Sequence, residues 1–306
     1  MEQDYVEYVT ARMPALRRLA YALCGDRHRA DDIVQQAITR LYIAVNASGT
    51  VAWSAGQAVF AYRDGKVSPV DAAKGYTVMH IDPVGDIYVT DGAGLRSKPG
   101  AAPQRLLSVP AGGSGPTREL QRVDTRQSVV LTVDDDGTAA GLTAVGSGPL
   151  SYGNSHATVW RDGTMTVLIP PYAGNAARPT ASADGWIGGL SWPVPSQAPI
   201  QAPTPIQDQT PDVSGIAVRW NLRTGATEAL PGIHDVKGIN RYGWVVGVTR
   251  DGHPVAVLGD RVVTLPLPPG AEPKGSIATM VSDDGRVIGG EAPMRDTVAA
   301  VRWTCD

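Results

Sequence analysis

The chain has 306 residues, with Gly at 35 and Pro at 24, proportions that suit many short strands joined by turns. Its formal net charge of −3 excludes a broad electrostatic footprint for nucleic acid or a membrane surface, because phosphate binding needs a concentrated basic field. The two cysteines, Cys24 and Cys305, stand at opposite ends, which excludes a disulfide framework or a cysteine-built metal site.

The first residues, Met1-Glu2-Gln3-Asp4, are charged and lack the apolar core of a signal sequence. No later stretch is long and apolar enough to span a bilayer, so the chain as written is expected in the cytoplasm. Apolar residues then recur at helical spacing through Tyr5, Val9, Met13, Leu16, Leu19, Ala20 and Leu23. Pro14 either kinks this helix or opens a second one, Gly25 supplies a stop, and Asp26 can cap the next helix. Ala30, Ile33, Val34, Ala37, Leu41 and Ala44 form one stripe, so residues 28–45 read as an amphipathic helix. Two short helices are marginal alone and need a further element or a partner.

Residues 11–42 include Met13-Pro14-Ala15-Leu16-Arg17-Arg18-Leu19-Ala20 and Asp31-Asp32-Ile33-Val34-Gln35-Gln36. This stretch resembles the start of region 2 of extracytoplasmic-function (ECF) RNA polymerase sigma factors. In that family an Asp-Leu-Val-Gln-Glu motif packs on the clamp helices of core RNA polymerase. The motif here reads Asp32-Ile33-Val34-Gln35-Gln36, and the resemblance implies that Asp32 and Gln35 hydrogen-bond the polymerase. Gln36 stands where the family has Glu and removes a charge. The promoter-melting helix and helix-turn-helix domain of the family have no counterpart. After Val45 the chain reads Asn46-Ala47-Ser48-Gly49-Thr50-Val51-Ala52-Trp53, with strand and turn character.

From residue 47 the chain repeats itself. One unit is Asp-Gly-x-x-x-Gly, at Asp136-Gly137 to Gly141, Asp184-Gly185 to Gly189 and Asp284-Gly285 to Gly289. Tyr242-Gly243 to Gly247 is a variant, and weaker copies lie at Gly85 and Gly49. A second unit comes after each: Ala157-Thr158-Val159-Trp160-Arg161-Asp162-Gly163, Ala217-Val218-Arg219-Trp220, Val255-Ala256-Val257-Leu258 and Ala300-Val301-Arg302-Trp303, with an early copy at Val59-Phe60-Ala61-Tyr62-Arg63-Asp64-Gly65. A third is a Leu-Pro signal: Leu168-Ile169-Pro170, Leu230-Pro231-Gly232 and Leu265-Pro266. Asp-Gly supplies the positive φ of a tight hairpin, and the alternating segments read as half-buried strands. The second glycine marks a close backbone approach or a bulge.

The first glycines, at 49, 85, 137, 185, 243 and 285, are 36 to 58 residues apart. That brackets a four-stranded propeller blade of roughly 40–50 residues. The repeats resemble HAF-type and kelch-like repeats of exported bacterial proteins. The expected fold is therefore mainly β, an incomplete or six-bladed β-propeller carrying a short N-terminal α-helical hairpin. The expected division is a sigma region 2-like segment at 1–46 and a propeller at 47–306. Residues 193–214, rich in Pro and Gln, read as a long loop within one blade.

The five histidines, His28, His80, His156, His234 and His253, show no metal-ligand spacing. Asp134-Asp135-Asp136-Gly137 lacks the alternating ligands of a calcium loop and reads as a turn. No Gly-x-Ser-x-Gly elbow or P-loop occurs, and Gly92-Ala93-Gly94 lacks the third glycine of a dinucleotide site. Trp160, Trp220 and Trp303 recur at one repeat position and read as core. No cofactor or metal is expected. The function expected is a non-catalytic binding or sensor propeller for a protein, peptide or glycan, joined to a truncated sigma segment by gene fusion. Two alternatives are a transcription regulator that binds core RNA polymerase through Asp32, Gln35 and Gln36, and a propeller hydrolase or lyase.

Overall fold

The computed structural model describes residues 50–55, 58–90, 104–110, 116–123, 128–144, 155–172, 175–193, 215–295 and 297–305. The expected helical hairpin, with Asp32, Gln35, Gln36, Cys24 and His28, lies outside these residues, as do Gly49, Gly92-Ala93-Gly94 and residues 194–214.

The repeat units become strands of six antiparallel sheets. Blade 1 is β1 (Val51–Ala55), β2 (Ala58–Arg63) and β3 (Lys66–Pro69). Blade 2 is β4 (Thr77–Ile81), β5 (Asp86–Thr90), β6 (Gln104–Pro110) and β7 (Arg118–Val123). Blade 3 is β8 (Ser128–Val133), β9 (Ala139–Ala144), β10 (Ser155–Arg161) and β11 (Thr164–Val167). Blade 4 is β12 (Asn175–Ala183), β13 (Trp186–Pro193), β14 (Ile216–Asn221) and β15 (Thr227–Leu230). Blade 5 is β16 (Asp235–Ile239), β17 (Val245–Val248), β18 (Pro254–Leu258) and β19 (Arg261–Thr264). Blade 6 is β20 (Ile277–Val281), β21 (Val287–Met294) and β22 (Thr297–Thr304). Each sheet is a meander in sequence order, and the first strands β4, β8, β12, β16 and β20 pack on one another in succession. This is a six-bladed β-propeller. The Pro- and Gln-rich segment joins β13 to β14 within blade 4.

Burial explains why the blades stack. Five apolar clusters each span two consecutive blades: Ala52, Val59 and Val70 meet Ile87 and Val109, and Tyr88 and Leu106 meet Val130 and Trp160. Leu168 and Val159 meet Ile187 and Trp220, Leu230 and Ile233 meet Val245 and Val257, and Val246 and Leu265 meet Ile288 and Trp303. Among the described residues no apolar cluster lies within a single blade. Each apolar face is covered by the next blade, which is where the hydrophobic contribution to stability arises.

The Asp-Gly unit resolves into two turn types. Asp64-Gly65, Asp162-Gly163 and Asp184-Gly185 have positive φ at both residues and close two-residue hairpins in the manner of type I′ turns. In Asp136-Gly137, Tyr242-Gly243 and Asp284-Gly285 only the glycine has positive φ, and the turns are wider. The turns of blades 2, 5 and 6 are closed by an Asp, Asn or Ser side chain at their start, and that of blade 3 by Asp136 Oδ1, which accepts from Thr138 N–H. Asp82 Oδ1 accepts from the N–H groups of Val84, Gly85 and Asp86, and Asn240 Oδ1 from those of Tyr242 and Trp244.

The second glycine marks both a close approach and a bulge. A methyl group on Gly141, Gly189 or Gly247 would overlap the carbonyl oxygen of Val129, Arg178 or Asp235 on the first strand. The first strand of each of these blades is bulged beside that glycine. In blade 6 the position belongs to Gly290 rather than Gly289, since a methyl group on Gly290 would meet the Ile277 carbonyl. The reason is one extra turn residue: Ser282 N–H bonds Val287 O, where Asn240 N–H bonds Trp244 O in blade 5.

Candidate binding site at the turn face

The turns between first and second strands of blades 2 to 6 are bonded one to the next. Tyr88 Oη donates to Asp135 O at 2.7 Å, and His80 Nε2 lies 2.6 Å from Asp135 Oδ1, linking blade 2 to blade 3. Gly185 N–H donates to Asp134 Oδ2 at 3.1 Å, linking blade 3 to blade 4. Arg219 Nη1 donates to Gly243 O at 2.6 Å, linking blade 4 to blade 5. Asn240 Nδ2 donates to Ser282 O at 3.0 Å, and Arg241 pairs with Asp283 at 2.6 Å, linking blade 5 to blade 6. Aromatic rings reinforce two links. Trp186 lies against Gly243 and Trp244 against Gly285, so closely that no side chain fits at either glycine.

The turns of blades 3, 4 and 5 frame a shallow cavity of about 270 Å³ lined by Asp134, Asp135, Asp136, Asp184 and Arg241. Four Asp residues and one Arg line it, and the Arg241 guanidinium pairs with Asp283. Asp136 pairs with Arg161 at 3.3 Å and Asp184 with Arg223 at 2.6 Å, so two of the carboxylates are held in place by arginines of their own blades. Burial is the main force on Asp134 and raises its pKa above the ordinary value, against backbone N–H groups of Asp184, Gly185 and Asp135 that favour its charge. Burial also raises the Tyr88 phenol, with the nearby Asp82 carboxylate acting in the same direction. Tyr88 is therefore a hydrogen-bond donor at physiological pH. Tyr242, beside Arg241 in the blade 5 turn, is 59 % exposed and leans on Trp244 at 5.8 Å between ring centroids. The face thus presents Asp carboxylates, Asp136 paired with Arg161 and Asp184 with Arg223, beside an accessible aromatic ring. Both suit a cationic group.

The other residues singled out by sequence fall elsewhere. Among the described residues, no three His, Cys, Asp or Glu side chains are grouped to hold a metal ion. His253 pairs with Asp251 at 3.1 Å in the turn between β17 and β18, His156 is exposed, and Cys305 is a free thiol. Trp160, Trp220 and Trp303 are buried between blades. Trp220 Nε1 donates to Ile169 O at 2.8 Å and Trp303 Nε1 to Pro266 O at 2.6 Å. The Leu-Pro units are the acceptors for these indoles, a role their sequence does not announce. Tyr88, Arg219 and Tyr242 also escaped sequence reasoning. Tyr88 and Arg219 reach Asp135 and Gly243 of the next blade, and only the repeat register brings those groups together.

No protein family's sequence profile matches the chain, and no curated protein matches it. Solved structures do match in shape. A puromycin-hydrolysing peptidase of Mycobacterium tuberculosis superposes with a TM-score of 0.50 at 14% identity, over 84% of this chain and 42% of the peptidase. An acylaminoacyl peptidase of Pyrococcus horikoshii does so with a TM-score of 0.50 at 11% identity, over 85% of this chain and 43% of the peptidase. The chain thus spans less than half the length of these enzymes, and at such identities the likeness is one of propeller fold alone. Among the described residues no helix is long and apolar enough to cross a membrane.

Proposed function

We propose that the propeller is a binding module whose turn face takes a cationic ligand, a peptide segment or protein loop bearing Lys or Arg. The observation that carries this reading is the cavity lined by Asp134, Asp135, Asp136 and Asp184 against Arg241, with Tyr242 exposed in the adjoining turn. Carboxylates at a concave mouth attract a cation before contact, and an exposed tyrosine adds area once contact is made. The test is a titration of the full chain with fluorescent peptides of equal length, one Lys/Arg-rich and one neutral. Preferential binding of the basic peptide is expected, weakened by salt and weakened about tenfold by Asp135→Asn with Asp136→Asn. Equal binding of the two peptides, or none, would overturn it. Cleavage of the peptide during the titration would favour the hydrolase alternative.

A second reading concerns residues 1–45, and the resemblance of residues 11–42 to sigma region 2 is what favours it. In this reading Asp32 and Gln35 contact the clamp of core RNA polymerase, Gln36 sits beside them without the family's charge, and the propeller is carried as a sensor or cargo. Core polymerase is expected to retain the full chain and to lose it when Asp32→Ala and Gln35→Ala are combined. Retention that ignores the substitutions, or no retention at micromolar protein, would make the segment a relic of gene fusion.

A further inference from the structure

Strand register makes each blade a control for the others, and at one position blade 4 departs from the rest. Arg219 on β14 corresponds to Ala61, Ser108, Val159 and Ala256 in blades 1, 2, 3 and 5. Those four are small or apolar, and all are buried. Blade 6 has Arg302 there, opposite Gly289, and it is exposed. Arg219 is 8 % exposed. It follows two residues after Ala217, so both side chains lie on the face of blade 4 that packs on Val245 and Val255 of blade 5. Burying a guanidinium costs more desolvation than burying the Ala, Ser or Val used elsewhere in the repeat, and an apolar residue would serve stability as well. The charge is explained by what it holds.

One edge of the guanidinium stays in blade 4, where Nε and Nη2 meet Glu228 Oε2 at 2.9 and 2.7 Å. Glu228 is its direct partner on β15. The other edge crosses to blade 5, where Nη1 donates to Gly243 O at 2.6 Å. The guanidinium carbon also lies 5.5 Å from the centre of the Trp186 ring, within cation–π reach. That ring in turn lies against the Gly243 α-carbon, since a Cβ there would come within 2.7 Å of it. Arg219 and Trp186 thus fix Gly243 from the blade 4 side. The start of the same turn is fixed from the other side, with Asn240 Nδ2 on Ser282 O and Arg241 on Asp283 of blade 6. Between the two holds stands Tyr242, exposed beside the cavity that Arg241 lines.

We propose that Arg219 is a positioning residue: from blade 4 it fixes the Gly243 end of the blade 5 turn and so presents Tyr242 to a ligand at the cavity. A charged donor holds a carbonyl more tightly than a neutral one. The planar fork lets one side chain serve Glu228 and Gly243 at once, which an ammonium does less well. A turn fixed before the ligand arrives loses less freedom on binding, so the ring contributes more of its contact area to affinity. The benefit to binding rests on the reading of the cavity as a site for a cationic peptide. The hold on the turn does not, and it can be measured without ligand.

The test compares the full chain with Arg219→Met, which keeps the stem and removes the donors, and with Glu228→Gln, which breaks the ion pair and leaves the bond to Gly243. Amide exchange of Tyr242, Gly243 and Trp244, whose N–H groups bond within the turn, is expected to quicken about tenfold relative to β13 and β18 in Arg219→Met only. Arg219→Lys should restore part of the protection. The Lys/Arg-rich peptide is expected to bind Arg219→Met about fivefold more weakly, and Arg219→Met with Tyr242→Ala no more weakly than Tyr242→Ala alone. Turn amides at the native rate in a folded Arg219→Met protein, or equal quickening in both variants, would overturn the proposal, as would additive losses of peptide binding. If the unsubstituted protein binds no basic peptide while the turn amides respond, the cavity reading fails and the hold on the turn stands.

Discussion

Gly141, Gly189, Gly247 and Gly290 occupy one repeat position, and each lies against a carbonyl of the first strand with no room for a Cβ. Gly163 is a different case. Among the described residues nothing lies within 4 Å of where its Cβ would stand, and its φ of +73° favours glycine. Gly141→Ala should therefore cost about 2–3 kcal/mol by overpacking, and Gly163→Ala about 1 kcal/mol by backbone strain. Urea denaturation of both variants checks the order. Equal losses would mean that the first strand yields to the new methyl. Both glycines stand in the sequence as turn or strand punctuation. Their spacing gives the repeat, but the sequence does not reveal that one answers to a neighbouring strand and the other to its own dihedral.

At the scale of the element, the Leu-Pro units serve as acceptors between blades. Ile169 O and Pro266 O each receive an indole N–H from the next blade, while Leu168 and Leu265 are buried beside them. Blade 5 has Val257 opposite Val245 where blades 3, 4 and 6 have tryptophan, so the Leu230-Pro231 unit faces no indole there. Trp303→Phe keeps a ring between blades 5 and 6 but leaves the Pro266 carbonyl without its indole donor. It should cost about 1–3 kcal/mol, seen as a lower midpoint of thermal unfolding, and Trp220→Phe should behave alike. No loss in either variant would mean that water replaces the indole. The expectation that these tryptophans are core holds in the structure. Their second role was illegible because donor and acceptor lie 37 and 51 residues apart.

For the molecule as a whole, the composition and the recurring Asp-Gly and Trp units determined a mainly β, repeat-built propeller with up to six blades. These are local signals: a hairpin glycine and a period-two strand declare themselves within a few residues. The sequence also contained the acidic run Asp134-Asp135-Asp136, read alone as a turn. Only the tertiary structure decided that this run meets Asp184 and Arg241 from two further blades around one cavity, with Tyr88, His80 and Arg219 tying the turns together. It also decided that β1 corresponds in register to β9 of blade 3, Val51 facing Tyr62 as Ala139 faces Trp160. That assignment comes from pairing register, which is a relation between segments and leaves no mark on either one. The physical reason is the same in both cases. Backbone propensity and turn chemistry act between near neighbours in the chain, whereas a site on a propeller is built from single residues of successive blades, brought together only when the blades bury their faces against one another.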